Sequence, residues 1–180
     1  MLIEEFGIDP VILRPASAAD AGEVADIDHA ARLSALPDVR WPHTPSEKRH
    51  WIAETLIPSG GVHVAVEGGH VVGYVALRES WVDQLYVLPG QWRHGIGRAL
   101  LQLAKERYPR GLTLYCFHCS PAARRFYESQ GFTGAAAGNG AINTGDDSDM
   151  LFGWCGGAEG EGQGAALDPA GGSGPPHPVT

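Results

Sequence analysis

The stretch Leu85-Tyr86-Val87-Leu88-Pro89-Gly90-Gln91-Trp92-Arg93-His94-Gly95-Ile96-Gly97-Arg98-Ala99-Leu100-Leu101 constrains the fold more than any other part of the chain. A strand pattern runs up to Val87 and stops at Pro89-Gly90, after which Ile96, Ala99, Leu100, Leu103 and Ala104 fall on one helical face. A strand is therefore predicted to feed an amphipathic helix through a basic, glycine-containing loop. Gly95 and Gly97 let main-chain amides approach a ligand with no Cβ in the way, and the helix N-terminus adds positive potential from its unpaired N–H groups. In principle such a turn cradles phosphate. Two nucleotide-binding patterns fail here. No Gly-Lys-Ser or Gly-Lys-Thr occurs, so the phosphate loop of nucleoside triphosphatases is absent. A dinucleotide fingerprint needs a third glycine where Leu100 stands, and it follows its strand at once, whereas seven residues separate Val87 from Gly95.

Strand and helix signals interleave through the rest of the chain. Ile12-Leu13-Arg14 reads as a first strand, and Ser17 with Asp20 marks a helix start carried on by Ala21, Val24, Ala25, Ile27 and Ala31. Thr44-Pro45-Ser46-Glu47 combines an N-cap, a proline in the first turn and an acid at its third position, so a second helix should run towards Pro58. Val62 to Glu67 and Val71 to Leu77 flank Gly68-Gly69, the composition of a tight hairpin whose two central residues take positive φ. Trp81 to Val87 is a further strand and Leu112 to Phe117 another; Ser120-Pro121 opens a helix that Gly131 closes. Phe132 to Ala136 and Asp149 to Trp154 are expected as two last strands joined through Gly138-Asn139-Gly140. The order β-α-α-β-β-β-α-β-α-β-β implies an α+β fold, a mixed and mostly antiparallel sheet with helices on both faces.

Composition narrows the functional classes. With 180 residues and 43% hydrophobic content, the chain is one ordinary domain's worth, and no run approaches the roughly 20 apolar residues of a membrane span. A formal charge of −8 argues against a general affinity for nucleic acid or an anionic membrane. Acid in Met1-Leu2-Ile3-Glu4-Glu5-Phe6 is unlike a secretory leader, and an odd cysteine count, Cys116, Cys119 and Cys155, suits a reducing compartment, so a cytoplasmic location is expected. Cys116-Phe117-His118-Cys119 lacks a second ligand pair for zinc, and no metal is expected. Gly156 to Thr180 holds eight Gly, four Pro and no Lys or Arg, which predicts a folded domain over 1–155 and a flexible tail over 156–180.

The Gly-Ile-Gly turn with its strand and helix is followed some 25 residues on by Ser120-Pro121-Ala122-Ala123-Arg124-Arg125-Phe126-Tyr127-Glu128-Ser129-Gln130-Gly131-Phe132. In order and spacing the two motifs resemble the GNAT N-acetyltransferase superfamily, over roughly Ile12 to Trp154. The resemblance implies a six- to seven-stranded GNAT-like acyl-CoA N-acyltransferase fold and acetyl-coenzyme A as donor. It implies that main-chain groups of Leu85, Tyr86 and Val87 hold the pantetheine arm. Amides from about Arg93 through His94, Gly95, Ile96 and Gly97 to Arg98 would hold the pyrophosphate, and the helix beginning at Ser120 would lie beside the thiol. Two positions depart from the family's pattern: Trp92 stands where Gln or Arg is usual, with Arg93 displaced by one, and Ser120 replaces an Asn that contacts the cofactor. Ser120 could still serve as an N-cap.

Acetyl transfer to an amine needs a neutral amine, a stabilised oxyanion and a proton for the departing thiolate. A lysine-like amine of pKa about 10.4 costs roughly 4.6 kcal/mol to deprotonate at pH 7, so a base near the acceptor is useful. Backbone N–H groups near Val87 could polarise the thioester carbonyl. Tyr127 in the family's aromatic pair is the expected general acid. Strand alternation is expected to put Glu79, Trp81, Asp83 and Leu85 on one face. By resemblance the usual base position falls on Trp81, which cannot accept a proton, and Asp83 is the candidate in its place. Trp41, His43, Thr44 and Trp51 are candidates for an aromatic acceptor pocket, with Trp81 beside them. Asn139, Asn143 and Asp149 resemble a polar hairpin of some members, with no role assigned. The expected function is an N-acetyltransferase acting on a small-molecule or protein amine, as a monomer or homodimer, with no nucleic acid or membrane partner. The alternative is an acyl-coenzyme A sensor of the same fold that has lost turnover.

Overall fold

In a computed structural model, residues 10–117, 120–134 and 149–156 are described. Strand β1 (Ile12–Pro15) leads through one turn of 3-10 helix into α1 (Ala21–Ala35), then α2 (Pro45–Trp51), which continues as a π-helical turn over Ile52–Leu56. β2 (Val62–Glu67), β3 (His70–Arg78) and β4 (Trp81–Val87) follow, then α3 (Ile96–Arg107), β5 (Leu112–Phe117), α4 (Pro121–Ser129), β6 (Thr133–Gly134) and β7 (Asp149–Trp154). The described strands form one sheet in the order β1-β2-β3-β4-β5-β7-β6, in which only the β4/β5 neighbours run parallel. The expected element order is thereby met. The short β6 covers only part of the strand expected from Phe132 to Ala136; residues 135–148, with Asn139 and Asn143, lie outside the described residues, as do Cys119 and the tail beyond Gly156.

Two apolar clusters sandwich the sheet. Val24, Ile27, Ile52, Val62, Val64, Tyr74 and Ala76 pack on the face of α1 and α2, while Val75, Leu77, Val82, Ile96, Leu100, Leu114 and Phe152 pack on the face of α3. The hairpin at Gly68-Gly69 takes φ of 57° and 84°, the left-handed pair that a tight two-residue turn requires. Thr44 caps α2 by accepting from the Glu47 N–H at 3.2 Å, and Glu47 accepts in return from the Thr44 N–H at 2.8 Å.

Asp20 anchors the entry to α1. Its carboxylate accepts two hydrogen bonds of 2.8 Å from Arg14 and one of 2.7 Å from the Ser17 N–H. The Arg14 guanidinium, with Ser17 assisting, holds the Asp20 carboxyl well below the usual range. A lowered folded-state pKa stabilises the protein above the unfolded value of about 3.9, and the contribution is lost as pH falls below it. Asp20→Asn should therefore cost about 1–3 kcal/mol at pH 7 and flatten the acid limb of stability in urea melts. An acid limb parallel to that of the wild type between pH 7 and 3 would contradict this assignment.

Candidate functional site

β4 and β5 are paired only at their starts, Trp81 with Thr113 and Val82 with Leu114. Just beyond, β4 carries a bulge. Its register with β3 pairs Ala76 with Gln84 but Leu77 with Val82, so Asp83 is the extra residue. Past this point the strands part, and a cleft of about 1670 Å³ runs from the N-terminus of α3 to the α1 and α2 side of the sheet.

The bulge overturns the expected alignment of Glu79, Trp81, Asp83 and Leu85. Gln84 falls opposite Ala76 on the α1 face, while Val82 and Leu85 pack with the α3 cluster. Glu79 is not in the strand but in the turn before it, with φ of 53°. Trp81 lines the cleft and stacks on Tyr115 with ring centroids 5.5 Å apart. Asp83 also lines it, ion-paired to Arg78 at 3.1 Å; burial pushes its carboxyl up from the usual value while Arg78 pulls it down.

The parted edge of β4 offers main-chain groups. Leu88 N–H donates to the Val72 carbonyl at 2.8 Å, so Val87 opposite Gly73, and Leu85 opposite Val75, occupy the non-bonded positions of the antiparallel ladder. Their N–H and C=O groups point away from β3, into the cleft. The Val87 carbonyl accepts from Trp92 Nε1 at 2.8 Å, which gives the unexpected Trp92 a definite structural task. The loop is pinned further by Gln91, whose Nε2 donates to Glu67 at 3.0 Å and whose Oε1 lies 2.9 Å from His94 Nδ1.

At the start of α3, Gly95 is left-handed with φ of 86°, and the first intrahelical bond is Ala99 N–H to the Gly95 carbonyl. The amides of Ile96, Gly97 and Arg98 precede that bond, and no side chain caps the helix. A Cβ on Gly95 would meet nothing within 4 Å, so its glycine is needed for backbone conformation. Gly97 serves packing instead: a Cβ there would lie 3.4 Å from Phe126 and 3.8 Å from Val87. Arg93 adopts φ of 68°, and Arg93, His94, Gly95, Gly97 and Arg98 line the cleft with Leu85, Tyr86 and Val87. The Ile96 side chain does not. It is 2% exposed and belongs to the core, leaving only its amide for the cradle.

Ser120 lines the cleft at the N-cap of α4 but makes no capping hydrogen bond, because ψ of 82° turns its hydroxyl off the first-turn amides. On α4, Tyr127 packs edge-on against Phe126 and Phe132 and faces the cleft; burial pushes its phenol well up, with Cys116 and Tyr86 adding to the effect. At the α1 and α2 end, Trp41 and Trp51 line the cleft, with Trp41 edge-on to Phe117. His43 and Thr44 do not join them. Thr44 is committed to its cap, and His43 borders a separate cavity of about 220 Å³ between α1 and α2. Lys48 also borders that cavity, its ammonium pushed down to about 8 by burial against the pull of Asp28.

Sequence reasoning missed Gln84, Arg32 and Tyr115, all of which line the cleft. A glutamine inside an otherwise apolar strand was the available signal for the first. Tyr74, 0% exposed, places its hydroxyl 2.9 Å from Asp28 Oδ1 and 2.8 Å from Gln84 Oε1. Arg32 Nε sits 3.1 Å from Asp28 Oδ2, an ion pair at contact distance without hydrogen-bond alignment, and its guanidinium lies over the Trp41 ring. Among the described residues, no three His, Cys, Asp or Glu side chains gather as metal ligands, and no helix is long and apolar enough to cross a membrane.

The family model described as acetyltransferase (GNAT) family matches residues 27–132. The peptidyl-lysine N-acetyltransferase YiaC of Escherichia coli (strain K12) is 28% identical over 104 residues, which is 54% of this chain and 70% of YiaC. Among solved structures, apo YjaB from Escherichia coli superposes with a TM-score of 0.67 at 20% identity, over 82% of this chain and 99% of YjaB. The PaiA N-acetyltransferase of Thermoplasma acidophilum, in complex with coenzyme A, gives 0.61 at 15% identity, over 81% of this chain and 99% of PaiA.

Proposed function

The chain belongs to the acetyltransferase (GNAT) family, and on that premise we propose that it transfers the acetyl group of acetyl-coenzyme A to a primary amine of a small molecule or protein. One observation carries the reading: the parted edge of β4, the uncapped amides of α3 and Tyr127 all border a single cleft. The fit to the donor is good at both ends. Uncapped amides with Arg93 and Arg98 suit a pyrophosphate, and the outward N–H and C=O of Leu85 suit the amides of a pantetheine arm, the Val87 carbonyl being taken by Trp92.

Acetyl-coenzyme A, when bound, supplies an activated thioester carbonyl. The Val87 N–H, which points away from β3, would be the main-chain donor that polarises that carbonyl as charge develops on it. Tyr127 lines the cleft and would be the hydrogen-bond donor to the departing sulfur, and Ser120 lies on the same α4 side of the cleft. Asp83 is the candidate base. Its raised pKa brings it closer to the working pH than an ordinary carboxylate, which strengthens it as a proton acceptor. Trp41, Trp51 and Trp81 line the cleft where the amine would enter; one face of each is already covered, by Arg32, Lys48 and Tyr115, and an open face would add about 0.5–2 kcal/mol in cation–π attraction. YiaC's peptidyl-lysine activity favours a lysine-like amine as the first acceptor to try. The scheme needs no metal, nucleic acid or membrane, is open to a monomer or a homodimer, and fits a cytoplasmic protein.

Thiol release from acetyl-coenzyme A, followed across polyamines, amino acids, aminoglycosides and a lysine peptide, tests it. Acceptor-dependent release is expected. Calorimetric binding of coenzyme A with no release across the panel would overturn transfer in favour of an acyl-coenzyme A sensor.

A further inference from the structure

A buried hydrogen-bond chain reaches the cleft from α1. Tyr74 has one phenolic proton and two oxygen neighbours, Asp28 Oδ1 at 2.9 Å and Gln84 Oε1 at 2.8 Å. Asp28 is 2% exposed and stands beside two cations, Arg32 at 3.1 Å and Lys48 at 3.8 Å, so it is a carboxylate and the stronger acceptor. The Tyr74 proton goes to Asp28, and the Tyr74 oxygen is left to accept. Only the NH₂ of Gln84 can donate to it. A half-turn of the Gln84 amide exchanges its oxygen and nitrogen without changing its shape, and that orientation gives the Tyr74 oxygen its donor. It also turns the amide oxygen outward. Gln84 is 7% exposed and lines the cleft between Trp81 and Tyr86.

Resting on the acetyl-transfer reading, we propose that Gln84, held by Tyr74 and Asp28, receives the acceptor amine by accepting one of its N–H bonds with the outward carbonyl. The group is suited to a free amine. A carboxylate at this place would favour the ammonium form and resist deprotonation, whereas a neutral carbonyl orients the amine without holding its extra proton. Asp28 keeps its charge one residue deeper, where it fixes the direction of the chain rather than the protonation of the substrate. The bulge at Asp83 makes this possible by turning Gln84 onto the α1 face, opposite Ala76.

Two readouts test the proposal. In the free protein, NMR should find the Gln84 side-chain NH₂ protected from exchange, because it is bonded to buried Tyr74. Fast exchange, as of a surface amide, would overturn the orientation. In kinetics with the lysine peptide, Gln84→Met and Tyr74→Phe should each raise acceptor KM about five- to twentyfold and leave acetyl-coenzyme A KM within about twofold. The double variant should be no worse than the more impaired single. Gln84→Glu should restore acceptor KM but move the kcat/KM profile to higher pH. Equal increases in both KM values, or additive effects in the double variant, would overturn the role. Absence of acceptor-dependent release in the wild type would overturn acetyl transfer itself and this role with it, whereas fast exchange with release intact overturns only the Gln84 assignment.

Discussion

Tyr127→Phe is expected to lower kcat by about ten- to a hundredfold while coenzyme A affinity in calorimetry stays within about twofold. The ring, not the hydroxyl, does the packing: Tyr127 meets Phe126 and Phe132 edge-on and lies 6.3 Å from Phe152, and phenylalanine keeps all three contacts. Structural loss should therefore be small, and the melting temperature is the control. The hydroxyl makes no hydrogen bond to a described residue, and Tyr127 lines the cleft. Burial raises its pKa, so it remains protonated wherever the enzyme works. A thiol of pKa about 8.5 is the stronger acid of the two, so complete transfer of the Tyr127 proton to the departing sulfur would run uphill. On the proposed mechanism the group would contribute a donated hydrogen bond that holds the thiolate as the bond to carbon breaks. It follows that Tyr127→Phe should lower the plateau of kcat against pH without moving its limbs. An unchanged kcat would remove Tyr127 from the chemistry.

The same residues show which parts of the fold and site were legible in the sequence. Gly68-Gly69, the Thr44 cap and the helical face of α3 are local: positive φ, a side chain bonding to a nearby amide and a 3.6-residue period each leave a mark within a few positions. The main-chain part of the cleft was legible for the same reason, since a strand, a glycine turn and a helix start are contiguous. Side chains brought together by pairing were not. The bulge at Asp83 depends on how β4 registers against β3, and without it Trp81, Asp83 and Leu85 would have lain on one face as expected. Once it is present, Gln84 reaches the α1 face, and no periodicity within β4 announces that. Tyr115 and Phe117 become cleft residues because β5 parts from β4 after Leu114, a consequence of geometry between strands about 30 positions apart. Ser120 illustrates a smaller gap: its residue type suits a cap, but its backbone turns the hydroxyl away.

Gly97 joins the legible turn to the packing around it, and replacing it separates the two. An alanine Cβ would sit 3.4 Å from Phe126 Cζ and 3.8 Å from Val87 Cγ2, which is ordinary van der Waals contact. Gly97→Ala should therefore fold normally and gain up to about 1 kcal/mol from helix propensity. Gly97→Val adds two methyl groups in the same space, between α3, α4 and the outward edge of β4. Overpacking of this kind costs about 1–3 kcal/mol and is relieved by moving Phe126 or the first turn of α3. Either movement disturbs the alignment of the Ile96, Gly97 and Arg98 amides with the Val87 edge. Coenzyme A affinity should fall about tenfold or more in Gly97→Val, a loss of roughly 1.4 kcal/mol, and stay within about twofold in Gly97→Ala. If the valine variant bound coenzyme A as tightly as the wild type, the start of α3 would not be the phosphate cradle. If alanine were as harmful as valine, the glycine would be needed for close approach of the ligand, as the turn alone first suggested, rather than for the seat of Phe126.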